Sequence, residues 1–207
     1  ELRAYFTSAI GYVYIAIFLA LSALLCCYTT IQANSYSTST YFNIMIFVAA
    51  IILPLLTMRL FSEERKTRTE QLLLTAPVSL YAMVAGKLLA AYPLYAACTL
   101  VSFSSFFILY LYADVKTAVL FGNLVAILLL GLTFITIGLF VSALTENQLA
   151  AAVGTIGIIM AFLLIGLINT FLPASYWLRY VFDSVSIFTR FQTFANGYFD
   201  LSTVIYY

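Results

Sequence analysis

The chain has 207 residues, of which 64% are hydrophobic and only 8% are charged. A soluble domain carries about 25% charged residues, so this composition excludes a water-facing surface over most of the molecule. The bilayer must supply most of the surroundings, and the chain is therefore expected to be an integral membrane protein. The net charge of +1 is uninformative, and the distribution of the charges matters more.

Histidine is absent, which removes the usual near-neutral acid–base group and the commonest metal ligand. The three cysteines, Cys26, Cys27 and Cys98, sit inside apolar runs and lack the spacing of metal ligands. We expect packed thiols, no bound metal and no catalytic residue. The chain begins at Glu1 without a methionine and stops at "DLSTVIYY", which we interpret as a protein that is either trimmed or only partly represented by this chain.

Five stretches have the roughly 20 apolar residues that a helix needs to cross a hydrocarbon core of about 30 Å. Alternation of period two is not sustained, which favours helices over strands. The expected fold is an all-α, polytopic membrane protein with a single transmembrane domain over residues 1–207. The expected spans are about 9–30, 41–60, 84–112, 117–144 and 149–172, and an unfinished sixth span begins at about 203.

Basic residues are concentrated in the connection between the second and third spans, which carries Arg59, Arg65, Lys66, Arg68 and Lys87. The positive-inside tendency places this connection in the cytoplasm. The amino terminus with Arg3 is then cytoplasmic as well, and Lys116, Arg179 and Arg190 lie outside.

Two other connections contain helix signals. In "TENQ", Thr145 and Gln148 have the spacing of a capping box, which predicts a helix start after a tight cytoplasmic turn. In the outer segment, one or two short interfacial helices are expected over about 175–196, with an apolar face formed by Trp177, Val181, Phe188, Phe191 and Ala195.

The stretch "EERKTRTEQLLLTAPVS" (63–79) concentrates charge that the chain otherwise lacks. The simplest interpretation is a loop that only orients the protein in the membrane. Helix-forming residues over 62–75 favour more than that. Ser62 could cap such a helix, and Glu63 and Glu64 in its first turn suit the helix dipole. The expected product is a short amphipathic helix that docks onto a soluble partner.

This stretch, followed by "VAGK" (84–87), resembles the first cytoplasmic loop of ABC-2 type permeases, the membrane subunits of many bacterial ABC exporters. The common family form is E-E-K/R-x-x-G-T-x-E-x-L-L-x-x-P-V-S, followed by G-K. "ELRAYFTSAIGYVYIAIFLALS" is similar to the start of the first span in the gliding-motility-associated branch, and "SALTENQ" and "GYFDLSTVIYY" fit later loops. Two positions depart from the pattern: Arg68 replaces the glycine, which is expected to stiffen the helix, and Gln71 stands where a glutamate is usual.

The resemblance implies the ABC-2 (type V exporter-like) fold with six spans, five of them complete in this chain. It also implies a homodimer or heterodimer of permease subunits in the bacterial cytoplasmic membrane, working with two ABC ATP-binding subunits. The charged helix would couple to the ATPase through Glu63, Glu64, Arg65, Arg68, Leu72, Leu73, Leu74 and Pro77. ATP and Mg are expected on the partner subunit only, because this chain lacks a G-x-x-x-x-G-K-[ST] sequence. No nucleic-acid partner is expected.

Within the spans, small residues predict close helix contacts at Gly131, Gly138 and Ser142, and at Gly154, Gly157 and Ala161. Ordinary packing inside one subunit, a dimer seam and a moving joint all remain open for them. Pro54 and Pro93 fall inside spans and could kink them. Few polar residues lie in the spans, which favours a weakly polar or amphipathic cargo driven by ATP. By resemblance, the path-lining candidates are Asn43, Thr57, Thr155 and Asn169.

The function expected from sequence is thus the permease subunit of an ATP-driven exporter. An alternative is a membrane scaffold whose charged helix recruits a partner other than an ATPase. An intramembrane enzyme is disfavoured, since the chain has no paired aspartates and no nucleophile motif.

Overall fold

The structure is a computed structural model that describes residue 6 and residues 9–29, 38–68, 79–112, 117–171, 186–195 and 206–207. Within these ranges the fold is all-α. In chain order, its helices are α1 (Ala9–Cys27), α2 (Thr38–Thr57), α3 (Ser62–Lys66), α4 (Leu80–Tyr112), α5 (Thr117–Leu144), α6 (Gln148–Phe171) and α7 (Ile187–Ala195). The expected start of a sixth span at about 203 lies outside the described residues.

Four helical stretches in the described part are long and apolar enough to cross a membrane by length and composition, namely Ser39–Lys66, Tyr81–Phe107, Val119–Leu144 and Gln148–Ile168. In α1, Gly11–Cys27 is a shorter apolar helix. Large apolar side chains such as Leu24, Leu100 and Phe121 point outward and are exposed. Lipid tails can cover such side chains, and a helix satisfies its own backbone groups in lipid. The molecule is therefore a polytopic membrane protein.

Helix α5 is at the centre of the packing and contacts α2, α4, α6 and α7. Its residues Leu130, Phe134 and Ile135 belong to the same buried cluster as Ile46 and Leu53 of α2. Both α2 and α4 run through an internal proline, Pro54 and Pro93, without interruption of the helix. The helix α2 is thus held along its length against α5, which matters for the segment that follows it.

Two glycines of α5 let neighbouring helices approach closely. A Cβ atom on Gly131 would lie 1.9 Å from Cε1 of Tyr95, and a Cβ on Gly138 would lie 2.1 Å from Oγ1 of Thr57. The Tyr95 hydroxyl also donates to the Ile127 carbonyl across 2.7 Å. In α6, by contrast, a Cβ on Gly157 would meet nothing within 4 Å. The glycines of α5 thus serve packing inside the subunit, whereas Gly157 lies on the outer surface.

The helix α7 is the described part of the outer segment expected over 175–196. Its start is capped by Ser186, whose Oγ accepts from the Thr189 N–H at 3.1 Å. Phe188 and Phe191, from the predicted apolar face, are buried, and α7 contacts α2, α5 and α6. Protein helices therefore cover these two rings. Trp177 and Val181 of the same predicted face lie outside the described residues.

Candidate functional site

The charged segment begins with a short helix, α3, which a turn over residues 58–61 joins to the end of α2. Glu63 and Glu64 lie in its first turn and Arg65 and Lys66 in its last, so the charges suit the helix dipole at both ends. The expected cap by Ser62 is wrong. Phe61 holds the N-cap position without a side-chain cap, and the Ser62 hydroxyl donates to the Met58 carbonyl.

Helix α5 supplies the missing cap. The N–H groups of Phe61 and Ser62 both donate to Ser142 Oγ, each at 3.1 Å. The Ser142 hydroxyl in turn donates to the Met58 carbonyl at 3.2 Å. Free N–H groups at a helix start need such partners, and Ser142 is fully buried. One serine of α5 thus fixes the start of α3 by three bonds to the backbone.

The backbone conformation at the end of α3 explains why the family pattern has glycine at position 68. Thr67 is the C-cap, and Arg68 follows with a φ of 58°, in the left-handed region. That conformation is typical of the residue that ends a helix, and glycine adopts it without steric cost. The prediction that Arg68 stiffens a helix running over 62–75 is therefore wrong, because the helix ends at Lys66. Leu72, Leu73, Leu74 and Pro77 lie outside the described residues.

Lys87 of α4 reaches the same turn from the other side. Its Nζ donates to Glu64 Oε1 and to the Leu60 carbonyl, both at 2.6 Å, and lies 4.7 Å from the centre of the Phe61 ring. The Lys87 side chain is only 3% exposed and that of Glu64 is 23% exposed. A buried ammonium needs such compensation. The cation is therefore surrounded by a carboxylate, a carbonyl and an aromatic face, all from residues 60–64.

The opposite side of α3 faces outward, with Glu63 and Lys66 exposed, and Arg68 beyond the end of the helix is exposed as well. Lys66 also lines a surface depression together with Glu146, Asn147, Gln148 and Leu149 of the turn between α5 and α6. This turn does not use the expected capping box. Asn147 caps α6 through its Oδ1, which accepts from the Leu149 N–H at 3.0 Å, while Thr145 donates to the Val141 carbonyl. The charged helix and the "TENQ" turn thus share one end of the molecule, called here the α3 end.

The expected path residues do not form one cluster. Thr57 and Thr155 are fully buried towards the α3 end, and their hydroxyls donate to carbonyls of their own helices, those of Pro54 and Ala151. Asn43 lies near the other end of α2, half-buried, and its Oδ1 has no hydrogen-bond partner within the described ranges. The Asn169 side chain lies outside what the structure describes. The lining role of these four residues stays a prediction.

Sequence reasoning missed the parts that Lys87 and Ser142 play. Lys87 was counted as a loop charge and as the last residue of "VAGK", without a partner inside the chain, and Ser142 only as a small residue. A signal for Lys87 was present, because it is a lysine two helical turns inside an apolar stretch, where a charge is costly without a partner. No comparable signal existed for Ser142, whose partners precede it by about 80 positions.

The fold and the site define a class: an all-α membrane protein that holds a short charged helix at one end of its spans. Residues 25–176 match the family described as "ABC-2 family transporter protein". The match covers more than half of the chain, and the chain belongs to this family. It is thus a permease component of an ABC transporter, a membrane subunit without catalytic activity of its own, whose family implies an ABC ATP-binding partner. Comparison with curated proteins and with solved structures gives no significant match.

Proposed function

We propose that this chain is the permease subunit of an ATP-driven exporter, and that α3 is the element that a separate ATP-binding subunit grips. The observation that carries the proposal is the construction of α3. A helix of five residues is too short to be stable by itself, yet here it is held by Ser142 and Lys87 and presents Glu63 and Lys66 outward, with the exposed Arg68 just beyond its end. A charged surface fixed in this way suits docking onto a soluble protein.

The proposed setting is the bacterial cytoplasmic membrane, with the α3 end in the cytoplasm. Arg59, Arg65, Lys66, Arg68 and Lys87 all belong to this end, as the positive-inside tendency requires. ATP and Mg would bind the partner subunit. Two permease subunits would pair, and closure of the ATPase would push on α3 and switch the spans between two packings. The cargo proposed is weakly polar or amphipathic, since few polar side chains lie within the spans.

The docking role can be tested by copurification from mild detergent after co-expression with the neighbouring genes. The test variant is Lys66→Glu, which reverses an exposed charge of α3 and leaves its internal bonds intact. Juxtaposed like charges at an interface cost several kcal/mol, so loss of about 2 kcal/mol would weaken ATPase binding by roughly thirtyfold. Leu73→Asp, in the leucine stretch of the same segment, should also lose the ATPase.

The matched control is Thr117→Glu, which adds a carboxylate at an exposed position on the opposite end of α5 and should retain the ATPase. Glu64→Arg, although it follows from the sequence pattern, is a poorer test because it would also break the bond to Lys87 inside the chain. Copurification of a different soluble protein, or full ATPase recovery with both Lys66→Glu and Leu73→Asp, would contradict the docking role and favour a scaffold.

A further inference from the structure

We propose that Lys87 is the positioning residue that makes α4 move with α3, so that force applied to α3 reaches this span through the ion pair between Lys87 and Glu64. The inference rests on the proposed function, since it concerns how a push on the docking helix enters the membrane. Its basis is the set of contacts that Lys87, from α4, makes with Leu60, Phe61 and Glu64.

The first step of the argument is that the link is direct. Nζ of Lys87 donates to a side-chain carboxylate of α3 and to a backbone carbonyl of the preceding turn, both across 2.6 Å. The Phe61 ring closes a third side of the ammonium. These three groups lie on both sides of the start of α3, so α3 cannot shift relative to α4 without breaking at least one of these contacts.

The second step is that breaking the link is unfavourable. Lys87 is almost completely buried, and an ammonium withdrawn from its carboxylate in such a site would be left with an uncompensated charge. Tyr81, Ala82 and Gly86, which precede it in α4, are exposed. Separation of the pair is therefore unfavourable, and a displacement of α3 is expected to carry Lys87 with it.

The third step is that the two links to α3 differ in kind. Ser142 of α5 binds the backbone at the start of α3 through neutral bonds, whereas Lys87 binds the Glu64 side chain through a charge-assisted bond. The turn between α5 and α6 lies at the same end. The described hydrogen bonds of its Thr145 and Asn147 join residues four or fewer positions apart, and these bonds therefore do not link the turn to α3. Transmission from α3 to α4 can thus be removed at Lys87 and Glu64 while the backbone cap from Ser142 persists.

The test uses the complete complex with its ATPase in lipid nanodiscs. Cys26, Cys27 and Cys98 are replaced by alanine, and Tyr81→Cys, at an 89% exposed position of α4, becomes the only labelling site. The rate of reaction with a hydrophilic maleimide is measured without nucleotide and in the ATP–vanadate trapped state. The rate should change between the two states with the wild-type pair, and this nucleotide-dependent change should be lost in Lys87→Met and in Glu64→Gln, although the ATPase still copurifies.

Two matched variants accompany the test. Lys87→Arg keeps the charge and both donor bonds, and should retain the nucleotide-dependent change. Thr136→Ala removes an exposed hydroxyl of α5 that donates to the Leu132 carbonyl of the same helix, and should behave as wild type. If Lys87→Arg retains the nucleotide-dependent change and Lys87→Met loses it, the charge at position 87 transmits the force, and packing of the side chain alone does not.

The outcomes separate the two proposals. If no ATPase copurifies with the wild-type pair, the proposed function fails. If the ATPase copurifies but Tyr81→Cys never responds to nucleotide, α4 does not move with α3 and the role of Lys87 is overturned. If the wild-type pair responds and both Lys87→Met and Glu64→Gln respond equally, the function stands and the role of Lys87 is overturned. Loss of the ATPase complex in both pair variants would also overturn it, because the pair would then hold the docking surface rather than transmit its movement.

Discussion

At the scale of single residues, position 68 shows a conflict between sequence and backbone. Arg68 has a φ of 58°, a conformation that costs an L-residue with a Cβ about 1–2 kcal/mol. We predict that Arg68→Gly increases the free energy of unfolding by about 1 kcal/mol, after part of the gain is lost to the greater freedom of glycine in the unfolded chain. Urea unfolding in detergent micelles, followed by circular dichroism, measures it.

The control at this position is Arg68→Ala, which also removes the charge but keeps a Cβ in the left-handed region. It should show no comparable gain. Equal stabilisation by alanine and glycine would mean that the charge of Arg68, and not its φ, is what destabilises the loop, and the assignment of this position as the end of α3 would lose its support.

At the scale of elements, the contact between α2 and α5 depends on Gly138. Its missing side chain leaves room for Thr57, whose Cβ would lie only 2.8 Å from an added Cβ atom. We predict that Gly138→Ala pushes the two helices apart and destabilises the protein by about 1–3 kcal/mol, as overpacking typically does. The same change at Gly157, where an added Cβ would meet nothing within 4 Å, should be neutral or slightly stabilising. Unfolding of the two variants in the same detergent compares them; equal losses would contradict this account.

The same elements show what the sequence could and could not predict. The five apolar helices were predictable because a bilayer admits helices of about 20 apolar residues and little else. The cap of α3 was not, because its acceptor, Ser142, belongs to another helix. Local patterns suggested Ser62 as the cap of α3 and Thr145 as the cap of α6. Ser142 of another helix caps α3 instead, and the neighbouring Asn147 caps α6. Local propensity thus located the elements, and long-range bonds decided how they end.

At the scale of the whole molecule, the proposed orientation in the membrane rests on where the basic residues lie. The α3 end carries Arg59, Arg65, Lys66, Arg68 and Lys87, and positive residues stay on the cytoplasmic side. Helix α5 has 28 residues and therefore spans about 42 Å at 1.5 Å per residue, so its two ends should face opposite compartments. In a cysteine-free background, we predict that Glu146→Cys reacts with a membrane-impermeant maleimide only in inside-out vesicles, and Thr117→Cys only in intact cells.

Both reporter positions are exposed, so a lack of reaction reflects the membrane and not burial in the protein. Reversed labelling would place α3 outside the cell, where no ATP-driven subunit could reach it, and would remove the basis for the docking role. Labelling of both positions from one side would mean that α5 does not cross the bilayer, although it contacts α2, α4 and α6 along one continuous core. The basic residues at the α3 end therefore link the orientation of the molecule to the site at which it would receive force.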